Sequence, residues 1–162
     1  GDELTTLAEE AKTARARIST PKGDIVFSFY PDDAPLHSAA FIKLARAGFY
    51  DGLAFHRYEP GFVIQGGDPA GNGTGGPGYN LEAEFSERPH IAGTVAMARS
   101  ANPNSGGSQF YICLADAPSL NRQYTVFGHV VEGQTVVDTI RAGDVMTNVT
   151  IEDGGDKGAG NG

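Results

Sequence analysis

The sequence predicts a mainly β protein, a closed eight-stranded antiparallel β-barrel capped by two α-helices. Three observations carry that expectation. Glycine is abundant, 23 of 162 residues, alongside nine prolines, so turns are frequent and the elements between them short. Short apolar runs alternate with polar residues at the two-residue period of a strand. Eight such runs can be placed, and a closed barrel leaves that many strands no exposed edge.

Taken in order, residues 1–13 form a polar, alanine-rich arm or short helix, with Leu4, Leu7, Ala8 and Ala11 at helical spacing. Residues 14–20 put Ala16 and Ile18 on one face and Arg15, Arg17 and Ser19 on the other. After the turn signal Pro21-Lys22-Gly23-Asp24, Ile25, Phe27 and Phe29 alternate with Val26, Ser28 and Tyr30, which completes a hairpin. Asp32-Asp33-Ala34-Pro35 reads as a helix start, with an Asp cap and an early proline. The helix over 34–47 carries the stripe Leu36, Ala40, Phe41, Leu44 and Ala47, and Gly48 ends it. Strands are expected at 53–56, 62–65, 93–97, 108–113 and 124–131. A second helix fits 133–142, with Val136, Val137 and Ile140 inward. The last strand, 145–151, alternates Val145, Thr147, Val149 and Ile151 on one face. One domain thus spans 14–152, and 153–162 reads as a disordered tail.

Composition excludes several classes. A formal net charge of −8 with no run of Lys and Arg argues against nucleic-acid binding. No apolar run reaches the ~20 residues of a membrane span. The single cysteine, Cys113, sits in an apolar run and reads as a buried hydrophobe; no disulfide and no cysteine metal site follow. That pattern fits a cytoplasmic protein; Gly1-Asp2-Glu3-Leu4 has no initiator Met, so an export signal removed upstream would fit as well. Nothing in the sequence asks for an obligate interface, and a monomer is expected.

Three motifs mislead. Gly71-Asn72-Gly73-Thr74-Gly75-Gly76 matches G-x-G-x-x-G, but Pro77-Gly78 follows where the fingerprint needs a helix N-terminus, so a surface loop is the better reading. His37, His56, His90 and His129 have no metal-ligand spacing, so no metal and no cofactor are expected. Ser108, in Gly107-Ser108-Gln109, lacks the nucleophile-elbow pattern and reads as a strand residue.

Two stretches remain. Phe55-His56-Arg57 with Gly61-Phe62-Val63-Ile64-Gln65-Gly66-Gly67-Asp68 puts a cation beside an apolar strand that carries an amide. Met97-Ala98-Arg99 through Gly107-Ser108-Gln109-Phe110-Tyr111-Ile112 supplies a similar mix. With Val126-Phe127-Gly128 these motifs resemble, in order and spacing over about residues 14–152, the cyclophilin-type peptidyl-prolyl cis-trans isomerases. The compact loops are similar to bacterial members.

The resemblance implies the eight-stranded barrel with two capping helices and an enzyme that rotates X-Pro bonds in proline-containing peptides and in unfolded or flexible protein segments, assisting folding. Arg57 and Gln65 match the catalytic arginine and the amide that holds it. Phe62, Val63, Tyr111 and Leu120 match the proline pocket; Phe110, by strand alternation against Tyr111, is read as barrel core. Ala98, Arg99 and Gln109 match the groove wall. Arg99 stands where the family often has Asn, and its contact there runs through the main chain. Tyr124 replaces the family's pocket histidine. Ser119 precedes Leu120 near a position where well-known members carry a Trp that contributes to cyclosporin binding, so weak cyclosporin binding is expected.

The chemistry suits these residues independently of the resemblance. The rotation barrier, ~18–20 kcal/mol, comes from amide resonance. Twisting the bond returns a lone pair to the prolyl nitrogen. A fixed donor aimed at it acts more strongly in the twisted state than in the planar one. A guanidinium is always charged and geometrically rigid. The alternative is a proline-peptide binding module without useful catalysis.

Overall fold

The computed structural model describes residues 2–154. Three α-helices, α1 (Asp2–Glu10), α2 (Pro35–Arg46) and α3 (Gln134–Val137), accompany eight strands. These are β1 (Ala14–Thr20), β2 (Gly23–Phe29), β3 (Phe55–Glu59), β4 (Val63–Gly66), β5 (Thr94–Met97), β6 (Phe110–Cys113), β7 (Val126–Glu132) and β8 (Asn148–Asp153). All pair antiparallel in one curled sheet, a half-barrel in the order β3-β4-β6-β5-β7-β2-β1-β8.

The inner face is an aromatic core. Phe27, Phe41, Phe110 and Phe127 are fully buried and meet mostly edge to face; Phe41 stacks on Tyr50 at 4.8 Å between centroids. Such pairs add about 0.5–1.5 kcal/mol each beyond the area they bury. Helix α2 lies deeper than a single stripe implies: Ser38, Ala39 and Ile42 are buried too, while Ala47 is exposed. Small residues let its backbone approach the sheet.

The N-terminal cap of α2 differs from the expected Asp. Ala34 is the cap residue and makes no side-chain cap bond. Glu84, from a distant loop, accepts the N–H groups of Leu36 and His37 at 2.9 and 2.8 Å, and its Oε1 lies 2.6 Å from His37 Nδ1. A carboxylate at a helix N-terminus satisfies orphan donors wherever it comes from in sequence. The C-terminus is as expected, with Gly48 at φ +75° just beyond Ala47.

The second helix is shorter than the 133–142 expected. Only Gln134–Val137 is α-helical. Thr139 and Ile140 bond back three residues, to Val136 and Val137, and the Thr139 hydroxyl also donates to Val136 O. That back-bonding tightens the chain into a turn after one helical turn.

The last strand also shifts. Met146 is buried and Val145 is exposed, the reverse of the predicted face, and the strand starts at Asn148. Met146 N–H bonds Leu53 O, and Thr147 N–H bonds Ser19 O, so this stretch crosses between two neighbours before the ladder begins. The strand then continues to Asp153, which pairs with Ala14, so the predicted tail does not begin at 153. The rest of that tail, 155–162, lies outside the described residues.

Among the described residues no helix is long and apolar enough to cross a membrane. No group of three or more His, Cys, Asp or Glu side chains there could hold a metal ion.

Candidate active site

The outer face of the same sheet carries a second apolar cluster. Strand alternation builds it: Val63 beside inward Ile64, Ala96 between Val95 and Met97, Tyr111 between Phe110 and Ile112, Val126 beside Phe127. Cys113 joins this cluster and is fully buried, and burial pushes its thiol up to about 12, so it is inert as a nucleophile. Phe62, Ala98, Leu120 and Tyr124 pack partly buried at the cluster's open side.

That open side is a cavity of about 210 Å³. Phe62, Val63, Gln65, Ala98, Arg99, Tyr111, Leu120 and Tyr124 line it, buried or half-buried, with Arg57, the exposed member of the lining, at its mouth. Gln109 is the one sequence-predicted site residue outside this lining. It borders a larger neighbouring cavity, about 550 Å³, which shares Gln65, Ala98 and Arg99 with the first. Phe62 is positioned by a tight loop between β3 and β4, where Gly61 at φ +70° turns the chain and Phe62 N–H bonds Glu59 O.

A polar chain fixes the mouth. Arg57 and Gln65 are cross-strand partners, and Arg57 Nη1 donates to Gln65 Oε1 at 3.1 Å. Gln65 Nε2 donates to Gln109 Oε1 at 3.2 Å, and Gln109 Nε2 donates to Gly75 O at 2.9 Å. Each amide accepts on one side and donates on the other, so one carbonyl sets the direction of the whole chain. Arg57 Nε also lies 3.6 Å from Glu59; both side chains are about half exposed, so that pair is a weak tether.

The aromatic wall has support that the sequence does not reveal. His90, buried, stacks on Tyr111 at 5.8 Å, and its Nε2 lies 2.8 Å from the Tyr111 oxygen. Asn121 Oδ1 already accepts the His90 backbone N–H at 2.7 Å, so the ring Nδ1, 3.3 Å away, must donate to it. Nε2 is then free to accept the Tyr111 hydroxyl proton. Burial lowers the His90 pKa and raises that of Tyr111, so both are neutral near pH 7. Tyr124 meets Tyr111 edge to face at 5.7 Å.

The glycine-rich loop after β4 is organised by a carboxylate of its own. Asp68, 1% exposed, accepts backbone N–H groups from Ala70, Asn72, Gly73 and Gly75. Burial alone would raise its pKa, but these four donors hold it below the ordinary value. The amides that a dinucleotide would use are spent on Asp68, and no helix follows them. Ser108, just before β6, donates to Gly67 O at 2.7 Å and straps this loop to the opposite side. Gly67, at φ +93°, cannot be replaced there, since a Cβ would lie 2.5 Å from Ser108 O.

Sequence reasoning did not find His90, Asn121, Asp68 or Glu84 as supporting residues. His90 and Glu84 lie in a loop without periodicity, and their partners are 21 to 48 residues away.

The outside of the curled β-sheet thus carries a cavity of apolar and aromatic side chains with an amide-tethered guanidinium at its mouth, which defines a class of half-barrel proteins with a cationic, partly apolar groove. The comparisons give that class its family. The family model for "Cyclophilin type peptidyl-prolyl cis-trans isomerase/CLD" matches residues 15–155. The chain is 48% identical over 139 residues to a peptidyl-prolyl cis-trans isomerase of Synechococcus elongatus, covering 85% of this chain and 95% of that one. It is 46% identical over 147 residues to one of Helicobacter pylori, covering 88% and 90%. A cyclophilin-type isomerase of Cryptosporidium parvum, whose crystal structure was obtained in the presence of the dipeptide Ala-Pro, superposes with a TM-score of 0.80 at 30% identity, covering 85% and 98%. The chain belongs to the cyclophilin-type peptidyl-prolyl cis-trans isomerase family.

Proposed function

We propose that this cyclophilin-type peptidyl-prolyl cis-trans isomerase turns X-Pro bonds of peptides and flexible protein segments in the 210 Å³ cavity, with Arg57 as the catalytic donor. The observation that carries the reading is the 3.1 Å bond from Arg57 Nη1 to Gln65 Oε1 at the mouth of an apolar pocket. The bond occupies one of five guanidinium N–H donors and leaves others for a ligand.

The proline ring sits against Phe62, Val63 and Leu120, between Tyr111 and Ala98. Burial there excludes water, which strengthens any charge interaction at the mouth. As the bond twists, the prolyl nitrogen becomes pyramidal and regains its lone pair. Arg57 donates to it, an interaction that the planar amide cannot offer equally. Gln65 keeps the guanidinium from rotating away, and Gln109 keeps Gln65 in place. No covalent intermediate and no proton transfer are needed. The Ala-Pro dipeptide used with the Cryptosporidium relative supports the same ligand class here.

The test is exchange spectroscopy on a short X-Pro peptide. Acceleration of cis-trans exchange at catalytic protein concentrations is expected. Binding with an unchanged exchange rate would instead make the chain a proline-peptide module.

We also read the half-barrel as closed at one end. Ala54 bridges Val145, and Phe55 N–H bonds Asp144 O while Gly143 N–H bonds Phe55 O, which supports a seam between the sheet's two ends. Protection of the Phe55 and Gly143 amides from hydrogen exchange checks it; rapid exchange of both contradicts it.

A further inference from the structure

The charged side chains that line the two adjoining cavities are all cations. Arg57 and Arg99 border them, and no Asp or Glu does, in a chain with 20 acidic and 12 basic residues. Glu59, beside Arg57, stands outside both linings. Asp68 lies under the loop, 1% exposed, with its oxygens occupied by backbone amides. A protein of net charge −8 repels anions over most of its surface, so a carboxylate-free groove with two guanidiniums is a local exception.

Arg99 is held where the two cavities meet. Its guanidinium lies over the Tyr124 ring at 4.7 Å; Nε donates to Gln123 O at 2.8 Å and Nη1 to Ser100 O at 2.9 Å. These partners are a π face and neutral carbonyls, and among the described residues Arg99 has no carboxylate within salt-bridge distance. Its charge is therefore positioned but not neutralised. Tyr79 and Asn80, each with a side-chain donor, line the larger cavity too, whereas the Ser100 hydroxyl is spent on Ser105 Oγ at 2.8 Å.

We infer that Arg99 is a specificity-determining residue that selects substrates with a carboxylate side chain close to the proline, on the side that enters the larger cavity. The inference rests on the proline ring occupying the smaller cavity, as proposed above. A neighbouring side chain then extends past Ala98 into the larger one, where an acidic group meets Arg99 and a basic one is repelled.

The experiment uses N-acetylated peptide amides with Glu, Gln or Lys at each of the two positions before proline, assayed by exchange spectroscopy. At one of those positions, kcat/KM at low salt is expected to favour Glu over Lys roughly fivefold, with Gln between them. The ratio shrinks toward one in about 0.5 M salt, where the Debye length falls to a few Å. Arg99→Gln abolishes the ratio and Arg99→Lys retains most of it. Equal kcat/KM for the three peptides in the unmodified protein overturns the inference while the isomerase reading stands. So does a Glu preference that survives in Arg99→Gln. Exchange of none of the peptides overturns the isomerase reading itself, and this inference with it.

Discussion

Arg57 and Gln65 face each other across β3 and β4 as direct cross-strand partners, with Nη1 3.1 Å from Oε1. Their pairing converts a flexible, half-exposed cation into one with a preferred direction. Gln65 is in turn held by Gln109, so the direction is set on the far side of the groove at Gly75.

Gln65→Ala is therefore expected to lower kcat about tenfold, about 1.4 kcal/mol, the scale of one hydrogen bond to a charged group. Its effect and that of Arg57→Ala should be non-additive, because the amide acts through the guanidinium. A double-mutant cycle on kcat/KM checks this. Independent, additive losses would separate the two residues.

Glu84 carries more stability than its sequence context suggests. It accepts two α2 N–H groups, contacts His37, and its own N–H bonds Thr125 Oγ1 beside Tyr124. Glu84→Ala removes the helix cap and leaves buried His37 unpaired, and should cost about 2–3 kcal/mol in urea unfolding. A loss below about 0.5 kcal/mol would show that the cap is replaceable by solvent.

How much of this was legible in the sequence follows from the reach of each interaction. Alternation within one strand sorted Phe110 inward from Tyr111 outward, because strand period alone decides it. The groove residues were legible through the family resemblance, and all but Gln109 line one cavity. Glu84, His90 and Asn121 were not legible, since each acts on a residue far along the chain from a loop with no period. The parity of Val145 and Met146 failed for a related reason: that stretch bonds Leu53 and then Ser19 and has no regular partner to impose alternation. The α3 region looked long because Val136, Val137 and Ile140 keep helical spacing, although the Thr139 hydroxyl closes the turn.

His90 makes the groove wall sensitive to acid. Burial lowers its pKa from the ordinary 6.5, so the unfolded chain takes up a proton more readily than the folded one. The corresponding stability is fully present above about pH 6.5 and is lost as pH falls toward the lowered folded value. His56 and His129 are lowered in the same way, also by burial first. Urea unfolding at pH 7.5 and 5 should show this decline, and His90→Gln should reduce its slope. An identical slope in the variant would remove His90 from the account.

Ser119 is exposed on the short 3-10 turn Pro118–Leu120 at the end of the groove, with no aromatic ring there. Cyclosporin should bind weakly, and Ser119→Trp should tighten it about tenfold by adding a large rigid contact. Calorimetric titration checks both. Tight binding to the unmodified chain would contradict the reading.

Arg57→Ala is the most direct test of the central claim. Cis-trans exchange on an X-Pro peptide, measured by NMR beside a circular dichroism control for folding, should fall at least ~100-fold, about 2.7 kcal/mol, the scale of removing one preorganised donor. A folded Arg57→Ala variant whose exchange rate stays within about twofold of the unmodified protein would contradict it.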